Sequence, residues 1–275
     1  MPALVATWIA ALVLAIAESP AHALWILLGF LGAVFSGMFG IGVVLTVPLL
    51  LYVPPLLGRE ALPIHIVTGT ATVQVAVVGL VGALSNVRDG RVRWDLIPLV
   101  GGGMAPAALV GAVLSSRLSG RTLEAIFAVL IVAAAVALFV GRAPEKAAMN
   151  KATSANRTLA FVMGAVLGLV VGIVGLGGGF LLVPLLVYLL DVPLRVAVGS
   201  SLGILAVTGL ASMVGKAATS QIDWLFAAAL VAGALPGVRL GTWLGARVNV
   251  RQLSVGLGLL LTGLAAKMWW DILRA

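Results

Sequence analysis

Apolar positions dominate the chain, and nine stretches carry no Asp, Glu, Lys or Arg: residues 1–17, 19–58, 61–87, 96–116, 125–141, 158–190, 196–215, 224–238 and 252–266. About 20 apolar residues cross a ~30 Å hydrocarbon core as a helix, so the pattern predicts membrane helices almost throughout. Two stretches exceed one crossing and carry glycine at matching places. Residues 24–52 contain SGMFGIG and then Pro48; residues 158–190 contain GIVGLGGG and then Pro184. A continuous helix of about thirty residues would be about 45 Å long. Glycine disfavours helix continuation and proline removes a backbone donor. Each stretch therefore reads as a broken helix or re-entrant hairpin of two half-elements, with Pro48 and Pro184 fixing the breaks. Non-helical backbone at that depth is tolerated only inside protein or along a wet cavity.

The pattern also repeats. A shift of 130 residues pairs Gly69 with Gly199, Gly79 with Gly209, Trp94 with Trp224, Pro106 with Pro236, Gly111 with Gly241 and Arg117 with Arg247, without a gap. Upstream the shift becomes 136, pairing Gly32 with Gly168, Gly42 with Gly178 and Pro48 with Pro184. Matched Trp, Pro and Arg in one register point to internal duplication. The expected organisation is an N-terminal hydrophobic helix at 1–23, a first repeat at 24–141, a basic linker at 142–157 and a second repeat at 158–275. The opening segment, with Ala21 and Ala23 before a possible cleavage point, has some signal-peptide character but lacks a basic start, so a retained helix is expected. The fold class is an all-α polytopic bundle. A re-entrant broken element makes the halves inverted; the distribution of Lys and Arg does not decide the orientation.

Composition agrees: 62% hydrophobic and 9% charged residues, with a mean hydropathy of +1.20, exclude a soluble domain. The net charge of +8 is scattered between apolar runs, which excludes a nucleic-acid surface and fits loop charges. Zero cysteines removes disulfides, thiolate metal sites and Cys nucleophiles. Two histidines and no acid inside a span leave no catalytic or metal constellation, so neither an enzyme nor a cofactor is expected.

Paired glycine-interrupted segments at corresponding places of two halves are the best sequence pointer to a transporter site. Half-helix N-termini present backbone N–H groups and a positive dipole end, which suits an anion. The candidate backbone donors are Gly40, Gly42, Gly177, Gly178 and Gly179. Hydroxyls in TGTAT and VGSSLG, namely Thr68, Thr70, Ser200 and Ser201, fall at matching positions and can donate to an oxyanion or cap a helix. Arg239, past Pro236, is the most membrane-embedded cation by position and the expected supplementary charge for binding the anion; Lys216 ends its span and is expected at the interface. The functional expectation is a small-anion transporter working by alternating access, with the broken elements meeting near the midplane. The alternative from another class is a non-transporting membrane scaffold, for which the short loops offer a partner little to grip.

The motifs GLGGGFLLVPLL (175–186), VGSSLG (198–203) and ALPGVRLGTWLG (234–245) resemble the TauE/SafE sulfite exporter family, also called the four-toluene-sulfonate uptake permease family. The resemblance covers nearly the whole chain from residue 24 to 270. It implies a multi-pass permease of the bacterial cytoplasmic membrane, exporting small sulfur-containing anions such as sulfite or short organosulfonates, sulfoacetate among them, with a transporter of another small organic anion as the alternative. The first half departs from the pattern: Ile41 and Val43 stand where the second half has Gly177 and Gly179. That puts backbone contacts there in doubt and points to an asymmetric site.

Overall fold

The computed structural model describes residues 20–40, 44–87, 90–140, 154–175, 178–247 and short pieces between 262 and 270. The opening segment at 3–17, linker residues 142–153, Gly42 and Gly177 lie outside the described residues. The last four linker residues open a helix rather than extending the loop.

Among the described residues there are nine α-helices and no strand. They are α1 (Pro20–Phe39), α2 (Thr46–Leu56), α3 (Ile64–Val87), α4 (Gly102–Ser115), α5 (Gly120–Val140), α6 (Ser154–Val174), α7 (Gly179–Tyr188), α8 (Leu194–Ala218) and α9 (Trp224–Gly245). One π-helical turn, Ile97–Gly101, leads into α4. Among the described residues six segments are long and apolar enough to cross a membrane, carried by α1, α3, α4 with its π turn, α6, α8 and α9. Their outward faces remain apolar, with Leu84, Val110, Val166, Leu210 and Leu240 exposed. A lipid surface is the solvent that such faces need.

The helices pack through glycine, and the contacts fix their directions. Along α1 and α9, a Cβ on Gly233 would lie 1.9 Å from the Ile26 carbonyl oxygen and one on Gly241 2.1 Å from that of Val34. Both numbers rise together, so α1 and α9 run parallel. Between α4 and α6, Gly168 meets Met104 and Gly172 meets Ala108, each within 2.1 Å of a carbonyl, so these too are parallel. The central pair behaves differently: Gly79 of α3 faces Ala206, whereas Gly209 of α8 faces Ala76. One number rises as the other falls, so α3 and α8 are antiparallel. Gly203 against Ile97 and Gly215 against Leu109 set α8 parallel to α4; Gly69 against Gln221 and Gly82 against Val238 set α3 parallel to α9. Thus α1, α3 and α9 point one way, and α4, α6 and α8 the other. Without lipid between them, such helices associate by close packing, and glycine lets the backbones approach.

Because α1 and α3 point the same way, the chain must return between them. It does so through Gly40, left-handed at φ 65°, and the eleven-residue α2. The same device separates α6 from α8: Gly175 (φ 73°) and Gly178 (φ 67°) turn the chain, and the ten-residue α7 brings it back. At about 1.5 Å per residue these return helices reach about half the hydrocarbon thickness. The long stretches are therefore hairpins of one full helix and one half-length helix, not two equal half-elements. Left-handed glycines make the turns. Pro48 and Pro184 lie inside α2 and α7, past the turns, and do not make the breaks. Pro48 sits in the first turn of α2, where a missing N–H leaves no intrahelical bond unmade.

Candidate functional site

Four segments converge on Lys216, near the C-terminal end of α8. Its ammonium donates to Ser115 Oγ of α4 (2.7 Å), Gln221 Oε1 of the α8–α9 connection (2.9 Å), the Ile173 carbonyl of α6 (3.2 Å) and Thr68 Oγ1 of α3 (3.4 Å). Its exposure is 0%, so it is enclosed by helices and not turned to the headgroups as an interfacial lysine is. The helix does end close by, at Ala218; what local sequence does not show is that neighbouring helices cover the ammonium there. Among the described residues no carboxylate lies within salt-bridge distance of it. Asp223, the acid that follows in sequence, instead caps α9 by accepting from the Phe226 amide (3.0 Å). A buried charge held by neutral acceptors alone is costly, because dipoles offset only part of the lost hydration.

The second hairpin packs against this end. A Cβ on Gly175 would lie 2.3 Å from the Thr68 carbonyl oxygen, so the turn presses its bare backbone against α3. Gly178 precedes α7, whose first amides have no acceptor within the helix. Thr70 Oγ1 accepts from the Asp223 amide (3.3 Å), and Ser115 Oγ also donates to the Ala112 carbonyl (2.6 Å).

The opposite end, around the N-terminal part of α8, is built otherwise. The Gly40 amide donates to the Ser36 carbonyl (2.8 Å), while its carbonyl accepts from Ser201 Oγ (3.0 Å). Gly40 is thus not the free backbone donor that its position predicts. Ser200 Oγ accepts from the Arg93 amide (2.9 Å). The Arg93 guanidinium is ion-paired with Asp95, which holds the Asp95 carboxyl below the usual carboxylate range and raises Arg93. Asn86 is buried here and donates to the Gly82 carbonyl (2.8 Å).

Most of the predicted residues therefore fall into two places. Thr68 and Thr70 gather at the Lys216 end; Gly40, Ser200 and Ser201 gather at the Arg93 end; Gly178, against Val171 and Met104, opens α7 with Gly179 and joins neither. The hairpin turns touch antiparallel helices at positions six to eleven residues on either side of their crossing, about 10 to 15 Å each. Gly175 and Gly40, the described glycines that open the two turns, therefore lie well apart. Arg239 joins neither place: it is exposed on α9. Lys216, Ser115 and Gln221 are the members that the sequence reading missed. The polar run TSQID after Ala218 marks the true end of α8 and was the available signal.

The model of the family described as "Sulfite exporter TauE/SafE" matches residues 25–268. This chain belongs to the TauE/SafE family. It is 29% identical over 248 residues to a "Probable membrane transporter protein" of Xylella fastidiosa strain Temecula1, covering 88% of this chain and 92% of that one. It is 26% identical over 220 residues to "Probable membrane transporter protein YdhB" of Bacillus subtilis strain 168, covering 79% and 84%. No solved structure matches. The protein is accordingly a multi-pass membrane transporter and not an enzyme.

Proposed function

We propose that this TauE/SafE member is an inner-membrane permease that exports small sulfur-containing anions, sulfite or short organosulfonates, by alternating access between two inverted repeats at 24–141 and 158–275. The observation that carries this reading is the pairing of helices. Gly29 of α1 faces the Leu230 carbonyl of α9 as Gly164 of α6 faces that of Val100, and Gly37 faces Val238 as Gly172 faces Ala108. Gly69 against Gln221 has its counterpart in Gly199 against Arg91. Thr70 accepting from Asp223 has its counterpart in Ser200 accepting from Arg93. Corresponding helices point in opposite directions, which supports inversion. In this packing α1 and α6 correspond at a shift of 135, one less than the glycine motif suggested.

An inverted pair of hairpins gives a chain two nearly equivalent packings, opening one end or the other. Thr68 and Thr70 at one end, Ser200 and Ser201 at the other, and Gly178 and Gly179 at the start of α7 are the proposed ligand contacts. The test has two parts. Purified protein in proteoliposomes should carry radiolabelled sulfite, with methanesulfonate as competitor; absence of flux for all tested anions overturns the transport reading. Since the chain has no cysteine, Glu60→Cys and Asp191→Cys can be labelled one at a time. Inversion predicts labelling from opposite faces of the membrane, and labelling from one face overturns it.

A further inference from the structure

We infer that Lys216 is the charge that receives the transported anion, and that the bound species is a monovalent oxyanion. This rests on the transporter reading above and narrows it. No carboxylate among the described residues lies within salt-bridge distance of Lys216: Asp223 turns to the Phe226 amide at the start of α9, and Asp95 at the far end is held by Arg93. The hydrogen-bonding groups around the ammonium are chosen from a particular class. Ser115 and Thr68 bring hydroxyls and Gln221 a primary amide, and each of these can accept or donate. Without an anion they accept from Lys216. Beside an oxyanion the hydroxyls rotate and the Gln221 amide turns, so that three neutral donors and the ammonium surround the oxygens.

Of the four partners of Lys216, the Ile173 carbonyl alone can only accept, and it belongs to the last turn of α6, just before Gly175. An anion competing for the ammonium therefore loosens the tie to the second hairpin as it binds. This couples occupancy to release of the second hairpin from α8. The charge balance fixes the valence. One ammonium and one monoanion leave the buried cluster neutral, whereas a dianion would exchange one uncompensated buried charge for another. Hydrogensulfite or a simple sulfonate satisfies this condition; doubly charged sulfite and sulfate do not.

The experiment compares methanesulfonate with sulfate on the purified full-length protein at pH 7, by ligand-induced thermal stabilisation and by competition for flux in proteoliposomes. Wild type should prefer methanesulfonate at least about tenfold, equivalent to about 1.4 kcal/mol. Lys216→Met should lose methanesulfonate stabilisation and flux, and Lys216→Arg should recover a measurable part of both. Ser115→Asp places a carboxylate beside the ammonium as a built-in counter-ion and should also abolish stabilisation by the ligand while leaving a folded protein. If Lys216→Met binds and transports as wild type does, or if sulfate is preferred, the inference is overturned. The wild-type preference needs no variant and decides the matter should the substitutions prevent folding. If wild type carries none of the anions, the transport reading itself fails; if it carries them irrespective of valence and of Lys216, only this inference does.

Discussion

The N-terminal ends of α3 and α8 occupy comparable places in the bundle and are joined to their surroundings by comparable bonds. In each, a hydroxyl accepts from a loop amide, Thr70 from Asp223 and Ser200 from Arg93. In each, a left-handed glycine of a hairpin presses on the helix backbone, Gly175 at Thr68 and Gly40 at Val198. The ends differ in charge. The α3 end buries Lys216 among neutral groups; the α8 end pairs Arg93 with Asp95 and has Asn86 where the 130-residue shift would put a counterpart of Lys216. A shared backbone frame thus carries two chemistries. Close packing is set by glycines and demands a match in shape, whereas one side chain at a helix end is free to differ.

The sharpest test of the shared frame is Gly175→Ala. The left-handed backbone costs an alanine about 1 to 2 kcal/mol, and a Cβ 2.3 Å from a main-chain oxygen adds an overpacking cost of about 1 to 3 kcal/mol. The expected outcome is a large fall in the thermal midpoint of the detergent-solubilised protein. Gly40→Ala should fall less, because its nearest neighbour at 2.5 Å is the rotatable Ser201 hydroxyl. Gly58→Ala should cost least, about 1 to 2 kcal/mol for its φ of 72° alone, since nothing lies within 4 Å. A larger loss at Gly40 than at Gly175 breaks the ranking.

Smaller effects separate the two ends further. Ser200→Ala removes an acceptor from the Arg93 amide and should cost about 1 kcal/mol, read as a shift of the thermal midpoint. Thr70→Val, which loses the longer 3.3 Å bond, should cost no more. Asp95→Asn tests the ion pair. Since Arg93 lowers the folded-state pKa of Asp95, its contribution is present above the unfolded carboxylate value near 4 and is lost as pH falls through the lower folded value. The small gap in midpoint between wild type and Asp95→Asn should therefore be seen at pH 7 and close below about pH 4. A gap that persists in acid would assign Asp95 a role other than charge. Arg239→Gln, on an exposed face, should stay within about 0.5 kcal/mol and leave anion flux unchanged.

Much of the bundle was legible in the chain because membrane spans are a local property. Their signal is an uninterrupted run of apolar residues, and the two glycine clusters marked the hairpin turns for the same reason. Pro48 and Pro184 were misread as the breaks since a proline is tolerated in the first turn of a short helix or inside one packed by its neighbours, and sequence position does not separate these from a break. Arg239 looked embedded by its place along α9, but depth along a helix says nothing of the face on which a residue sits. Gly40 looked like a donor until the end of α1 took its amide.

By itself the sequence determined that the chain lives in lipid, where its helices begin and break, and which positions are small enough for backbones to touch. What only the tertiary structure decided is the surroundings of Lys216. Its partners Ile173, Ser115 and Thr68 lie 43, 101 and 148 residues away in the chain, on helices whose directions follow from glycine contacts between distant segments. A lysine at the end of an apolar run has the same local sequence whether it reaches the headgroups or is shut inside. The packing of α3, α4 and α6 over its ammonium makes the difference, because burial is set by what surrounds a residue in space.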